Sequence, residues 1–427
     1  MTDFVAAKLV GSAAAQVRGI GRPPNKRVMF VGDSRIFQSI YTDANSLQFA
    51  AIGVPAWLRF LTGQRFDFTP NNVHAVAGYT SAQVLGLLQA ALPTDDAGTV
   101  FILASTNDRR DGLTAATSIA NLAAMRDAAL EAGRVVVFFA ELPRSDAVYT
   151  GTNVRLSGAN LYNHMIVRKW LLDQASTPGV YVADAWPAMG LPSSIYAEAV
   201  VGQLRDGLHQ APVGALNMAL AAKPIVEQLF PPRNILPVDM TDLWHINLNQ
   251  GGCLNNNPMM IGTGGAIGNG GSGQLADDYS SNITGSGLTF AYSKVMSGGL
   301  DWQQVVLGGT APAGTSNSGI VRAAIGAAKI AVGDKLTAVA QVEWSGLSGV
   351  SEVSLRILEN DTQKYVSDLG GSGEASPASG NGVMQAPQMT LTSAAAVRLE
   401  VFVRYIPGAV VAGTIRVRAM TVRKAIS

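Results

Sequence analysis

Two kinds of hydrophobic pattern divide the chain. In the first half, short, largely apolar runs alternate with stretches of helical spacing. The runs are Val28–Val31, Val73–Ala77, Thr99–Ala104, Arg134–Ala140 and Val180–Val182. Runs this short and continuous predict strands buried on both faces. Helical spacing covers Ser81–Ala91, Thr114–Ala132, Val154–Gln174 and Pro212–Leu229, and Pro231-Pro232 stops the last of these. The mixed stretch Ile36–Phe60, with Trp57, reads as helical or irregular cover. Strands alternating with helices predict an α/β fold, a parallel five-stranded sheet with right-handed crossovers.

After Pro237 the pattern changes. Residues 251–287 are dense in Gly, Asn and Ser. Period-two alternation follows in Leu336–Trp344, Ser351–Leu358, Val397–Tyr405 and Thr414–Val422. Ile415, Val417 and Ala419 against Arg416 and Arg418 mark a half-buried strand. Short strands with Gly-rich turns predict a β-sandwich, a jelly roll. The expected organisation is an N-terminal arm at 1–25, a catalytic domain at 26–235 and a sandwich at 236–427, carbohydrate-binding or serving assembly.

Composition narrows the partners. Hydrophobic residues make up 48% and charged residues 14% of 427, enough for real cores. A net charge of +1 gives no pull toward nucleic acid, and no apolar run is long enough for a membrane span. Neither is an expected partner. The single Cys253 excludes an internal disulfide and a Cys-based zinc site, and His74, His164, His209 and His245 lack metal-ligand spacing. No cofactor is expected. Met1–Ala15 is Ala-rich, but Asp3 and Lys8 interrupt the pattern of a signal peptide, so it reads as a non-cleaved segment.

The candidate chemistry gathers around Val28–Arg35. Gly32 ends the first strand, placing Asp33 and Ser34 at its carboxyl end, where ligands collect in open parallel sheets. Gly78 ends the second strand and Ser105-Thr-Asn107-Asp108 the third. Asp206-Gly-Leu-His209 precedes the last helix, and one turn of that spacing lets a carboxylate orient an imidazole. A lone serine after a strand is more often a helix cap. The joint pattern is much more specific.

Gly32-Asp-Ser34, Gly78, Asn107 and Asp206-x-x-His209, in that order, resemble the SGNH (GDSL-like) hydrolase family over the N-terminal half. The resemblance implies a flavodoxin-like sheet of order 2-1-3-4-5. It implies Ser34 as nucleophile, His209 as general base and Asp206 as its partner. The oxyanion hole would be the N–H groups of Ser34 and Gly78 with the Asn107 amide. Two departures stand out: Ser105 replaces the Gly of the family's Gly-x-Asn-Asp block, and Arg35 follows Gly-Asp-Ser where Leu is usual. Arg35, Asp108, Arg109 and Arg110, beside these blocks, are candidate substrate contacts; surface ion pairing is their ordinary alternative. Asp33 reads as a structural brace. Trp244, Trp302 and Trp344 are candidates for a sugar-stacking platform, with burial in the sandwich as the alternative.

A sandwich beside such a hydrolase looks like the arrangement in carbohydrate esterases. The expected activity is O-deacetylation of a polysaccharide through a serine acyl-enzyme. The Gly/Asn-rich β-module and the lack of a clear signal peptide also resemble a phage tail or virion-associated esterase acting extracellularly on bacterial surface glycan. Its partners would be the acetylated polysaccharide and a virion component or further copies of the chain. The alternatives are a lipase or thioesterase on small acyl esters, and a non-catalytic glycan-binding or structural virion protein.

Overall fold

The structure is a computed structural model describing residues 23–151, 154–314, 316–359, 364–371, 373–393 and 396–425. Nearly all of the expected N-terminal arm lies outside the described residues. Two compact units divide the chain: 1–38 with 65–231, and 39–64 with 232–427.

The first unit begins with strand β1 (Val28–Gly32), followed by a helical turn, Ser34–Phe37. The chain then leaves this unit to form β2 (Ile40–Thr42), β3 (Ser46–Ala50) and the helix Val54–Leu61. It returns as β4 (Val73–Ala75), β5 (Thr99–Leu103), β6 (Val135–Phe139) and β7 (Val180–Ala183). These strands make a five-stranded sheet of order β4-β1-β5-β6-β7, parallel throughout. Leaving out the excursion, that is the expected order 2-1-3-4-5.

Why these segments fold so is plain from their faces. β1, β5 and β6 are buried at every position, as strands covered on both sides must be. One face packs Met29, Val31, Val100, Ile102, Val136 and Phe138 against Val84 and Leu88, Leu122 and Met125, and Val167 and Leu171. Those six residues come in pairs from the helices Ser81–Ala91, Ala115–Glu131 and Gly158–Asp173. The other face is aromatic: Phe30 stacks on Phe101 at 4.9 Å, Phe101 lies 5.8 Å from Phe139, and Phe66 lies 6.1 Å from Phe230. A reciprocal cap starts the first of those helices, with Thr80 N–H donating to Gln83 Oε1 at 2.9 Å. The last helix, Pro212–Leu229, places Pro in its first turn, where the missing N–H costs nothing.

The second unit holds two sheets. Its strands are β8 (Gly264–Ala266), β9 (Gly271–Gly273), β10 (Leu275–Ile283), β11 (Leu288–Ser297), β12 (Leu300–Gly309), β13 (Asn317–Ile325), β14 (Lys335–Ser348), β15 (Val350–Glu359), β16 (Lys364–Gly370), β17 (Gly380–Gln385), β18 (Met389–Thr390), β19 (Val397–Tyr405) and β20 (Ala412–Lys424). One sheet runs β2-β3-β16-β15-β19-β13-β10-β8 and the other β17-β14-β20-β12-β11-β9, with β18 paired to β14. The sheets face each other. Tyr292 Oη on β11 donates to the Ile320 carbonyl on β13 at 3.0 Å, and Phe290 packs on Tyr405 at 6.3 Å. Successive strands repeatedly switch sheets, the wiring expected of a jelly-roll sandwich.

The excursion corrects the expected domain limits. Residues 39–64 belong to the second unit, although 26–235 was expected to be one domain. Ile36–Phe60 is not cover over the parallel sheet. Its β3 pairs in parallel with β16, Ser46 opposite Tyr365 through Ala50 opposite Gly370. Its helix puts Phe60 in a stack on Trp344 at 5.3 Å and Trp57 6.1 Å from the same ring. At the other end, the change of unit between Pro231 and Pro232 lies close to the expected boundary.

Candidate active site

Ser34 is the first residue of the turn that follows β1. Gly32 makes that turn feasible: a Cβ there would stand 2.4 Å from the Leu103 carbonyl oxygen on β5 and 2.8 Å from Ile36. Asp33 caps the turn, its Oδ1 accepting the Arg35 N–H at 3.0 Å. As the first helical residue, Ser34 has a backbone N–H with no intrahelical acceptor.

The Asp206–His209 loop closes on this serine. His209 Nε2 lies 2.8 Å from Ser34 Oγ, and His209 Nδ1 lies 2.7 Å from Asp206 Oδ2. Asp206 Oδ1 also accepts the N–H groups of Leu208 at 3.0 Å and His209 at 2.8 Å. Partial burial works against the ionised Asp206, but these hydrogen bonds, led by the one from the His209 ring, hold its pKa down to about 2. Gly207 is required between them. Its φ is +79°, and a Cβ would meet Tyr149 Cβ at 2.7 Å. Gln210 fastens the loop to the serine turn by donating from Nε2 to the Arg35 carbonyl at 2.7 Å.

Gly78 and Asn107 meet at the same edge of the sheet. Gly32 is paired with Ala75, and the Val76 N–H donates to the Gly32 carbonyl at 3.4 Å, which brings the Gly78 loop beside the end of β1. Asn107 Nδ2 donates to the Tyr79 carbonyl at 2.9 Å, leaving a second hydrogen on that nitrogen for another acceptor. Arg110 Nη2 holds the Gly78 carbonyl at 3.1 Å. Ser105, which follows β5, has φ +86°. A left-handed conformation costs a residue with a Cβ about 1–2 kcal/mol. A compensating bond is present: Ser105 Oγ donates to Glu141 Oε1. A hydrogen bond to a charged group contributes about 1.5–3 kcal/mol, enough to offset that cost.

Three of the four expected substrate contacts are corrected. Arg35 is buried, with Nη2 on Asp33 Oδ2 at 2.8 Å and Nη1 on Glu141 Oε2 at 3.4 Å. Asp108 is buried, accepting the Ser81 N–H at 2.8 Å and the Ser118 hydroxyl at 2.6 Å. Arg109 is buried and donates to Ser118 Oγ. All three turn inward because a charge at a sheet edge can be buried when an opposite charge or a hydroxyl waits there. Asp33 braces Arg35 as expected. Arg110 stays at the surface in an ion pair with Asp111 at 2.6 Å, the ordinary alternative, while Glu141 and Gln210 have structural parts that were not assigned from the sequence.

The remaining histidines keep no part in this edge. His164 is buried against the Leu142 carbonyl at 3.0 Å, and burial, with Arg144 nearby, lowers its pKa to about 3. His74 pairs with Asp95 at 2.9 Å. The tryptophan platform is not assembled. Trp302 and Trp344 are buried, and Trp344 Nε1 donates to the Pro377 carbonyl at 2.9 Å. Trp244 is half-buried with Lys424 Nζ 5.2 Å from its ring. Among the described residues no group of three or more His, Cys, Asp and Glu stands together in a metal-holding arrangement.

No family model matches the sequence, and no curated protein matches it. Solved structures do. A GDSL-like lipase from Bacteroides thetaiotaomicron VPI-5482 is 18% identical and aligns over 52% of this chain and 97% of its own, with a TM-score of 0.36. A carbohydrate esterase family 3 protein from Talaromyces cellulolyticus is 20% identical over 48% of this chain and 97% of its own, at 0.32. A member of the lipolytic protein G-D-S-L family from Veillonella parvula DSM 2008 is 14% identical over 47% of this chain and 97% of its own, at 0.34.

Proposed function

We propose that the chain is a serine ester hydrolase of the SGNH type that removes O-acetyl groups from a polysaccharide. The observation that carries this reading is the continuous chain Asp206–His209–Ser34, with both hydrogen bonds below 3 Å. In the proposed reaction Ser34 Oγ attacks the acetyl carbonyl carbon while His209 Nε2 takes its proton. Asp206 fixes the ring and stabilises the imidazolium. The N–H groups of Ser34 and Gly78 and the Asn107 amide receive the oxyanion, and losing one such donor costs roughly 10²–10³ in turnover. His209 returns the proton to the departing sugar hydroxyl. Water then repeats the attack on the acyl-enzyme, releasing acetate.

The sandwich supports the choice of a glycan substrate. On one of its sheets Asn381, Glu343 and Arg416 are cross-strand neighbours at a cleft of about 420 Å³, and Arg416 also reaches Gln304 at 2.8 Å. An amide, a carboxylate and a guanidinium in one row offer the mixed donors and acceptors that sugar hydroxyls require. Bacterial surface polysaccharide is the proposed target, met outside the cell by a virion-associated protein that assembles through this second unit. The Gly/Asn-rich composition of 251–287 is what supports that setting.

The direct experiment is acetate release from a panel of O-acetylated polysaccharides, wild type beside Ser34→Ala. Release by the wild type only supports the reading. Equal release by both, or none by either on any ester, returns the chain to a binding or structural role. Small and lipid esters are the second reading. Exposed Phe37 follows Ser34 in its own turn, and exposed Tyr149 lies against Gly207. A p-nitrophenyl ester series read beside the polysaccharide panel separates them: preference for long chains supports the lipid reading, and cleavage of the acetyl ester with no acetate released from any polysaccharide supports the small-ester one.

A further inference from the structure

We propose that Glu141 is a positioning residue for the oxyanion site, a role resting on the esterase reading above. Glu141 follows β6 and is 1% exposed. Its two oxygens reach two different loops. Oε1 accepts the Ser105 hydroxyl, two residues before Asn107. Oε2 faces Arg35 Nη1 at 3.4 Å, and Arg35 is fastened to Asp33, so this contact holds the turn that carries Ser34. One buried carboxylate just beyond a third strand thus ties together the ends of β1 and β5.

Ser105 explains why a tie is needed. Its φ of +86° lies where a side chain is unwelcome. A serine at the start of a helix normally turns its hydroxyl onto the first backbone N–H groups. Ser105 makes no such cap, because the hydroxyl is given to Glu141. Release that anchor and the turn relaxes toward ordinary backbone angles, carrying Asn107 with it. A donor moved by about 1 Å from the developing oxyanion costs roughly 10² in rate. Glu141 is buried behind this edge, so ground-state binding is spared and the loss falls on kcat.

The test compares variants on p-nitrophenyl acetate, with the folded fraction read by near-ultraviolet circular dichroism and the Asn107 side-chain amide followed by NMR. Glu141→Ala is expected to lower kcat per folded molecule by roughly 30–100-fold with KM little changed. Glu141→Gln keeps an acceptor for Ser105 but no charge for Arg35, and should fall between. Ser105→Ala keeps the Cβ that disfavours this φ and loses the anchor. Ser105→Gly also loses the anchor but adopts the same φ freely, so it should retain about tenfold more kcat than Ser105→Ala. Wild-type kcat in Glu141→Ala, a loss confined to KM, or equal loss in the two Ser105 variants overturns the proposal. Should Glu141→Ala fail to fold, the Ser105 pair decides. Should wild type and Ser34→Ala hydrolyse the ester equally, the esterase reading is what fails. The Asn107 resonance then judges the brace by itself: a shift in the Glu141 or Ser105→Ala variants supports it, and none refutes it.

Discussion

Asp206, in the loop that meets Ser34, and Asp368, at the end of β16 in the sandwich, shift in opposite directions. Asp206 is half-exposed, and its pKa falls to about 2. Asp368 is fully buried, and its pKa rises to about 6. Asp368 accepts the N–H groups of Leu369 at 3.1 Å and Gln385 at 2.8 Å and has Arg59 in its field. Burial still wins there, whereas at Asp206 the hydrogen bonds win. Asp206 gathers three donors, one of them the His209 ring, on a half-exposed carboxylate, and Asp368 has two on a fully buried one, so the balance of burial against bonds decides the ionisation. The first unit does hold fully buried charges at its sheet edge, Arg35 with Asp33 and Glu141 among them, and there each has an opposite charge in contact.

The largest effect is expected at Asp206. Asp206→Asn should lower turnover by roughly 10³–10⁴, since the wrong tautomer of His209 would face Ser34. A loss below tenfold on p-nitrophenyl acetate would break the pairing of this loop with catalysis. Next comes Arg35→Ala, which strands two buried carboxylates. About 3–5 kcal/mol of stability should be lost in urea unfolding, and a loss under 1 kcal/mol would mean that the cluster is hydrated or protonated.

The two aspartates then separate by pH. A raised acid pKa means that Asp368 stabilises the fold fully below its unfolded value near 4, and that this contribution is lost as pH rises through about 6. The penalty above pH 6 is on the order of 3 kcal/mol. In Asp368→Asn the corresponding slope between pH 4 and pH 6 should vanish from unfolding free energies (pH window set by the same two values). Asp206 has the opposite sign. Its contribution is present above the unfolded value near 4 and is lost as pH falls through about 2, so the gap between wild type and Asp206→Asn should close only in that acid range. The same slope for both would overturn the comparison. The smallest effect belongs to Arg416→Ala in the sandwich. Its half-exposed pair with Glu343 at 2.9 Å should be worth about 0–1 kcal/mol and should weaken with salt.

Much of the first unit was legible along the chain. β1, β5 and β6 are continuous apolar runs, and β5 and β6, joined through one helix, pair side by side. Spacing alone put Asp206 and His209 within one turn and Ser34 after a strand; that the three would meet was expected only from the family resemblance. β3 was not legible. Its alternation over Ser46–Ala50 is ordinary, and its partner is remote: Gln48 Nε2 donates to Tyr365 Oη at 3.0 Å across 317 residues. Nor did the neighbourhood of Ser34 reveal that Arg35 turns inward, because Glu141, which receives it, comes 106 residues later.

What the amino-acid sequence determined by itself was local: which segments are strands or helices, and which polar residues end them. Apolar spacing and turn residues act over a few positions, so they are written in the order of the chain. Tertiary structure alone decided which strands joined which unit, which charges were buried, and which way Asp206 and Asp368 shifted. A charge takes its free energy from the dielectric and partners around it, and both are assembled from segments that are distant in sequence.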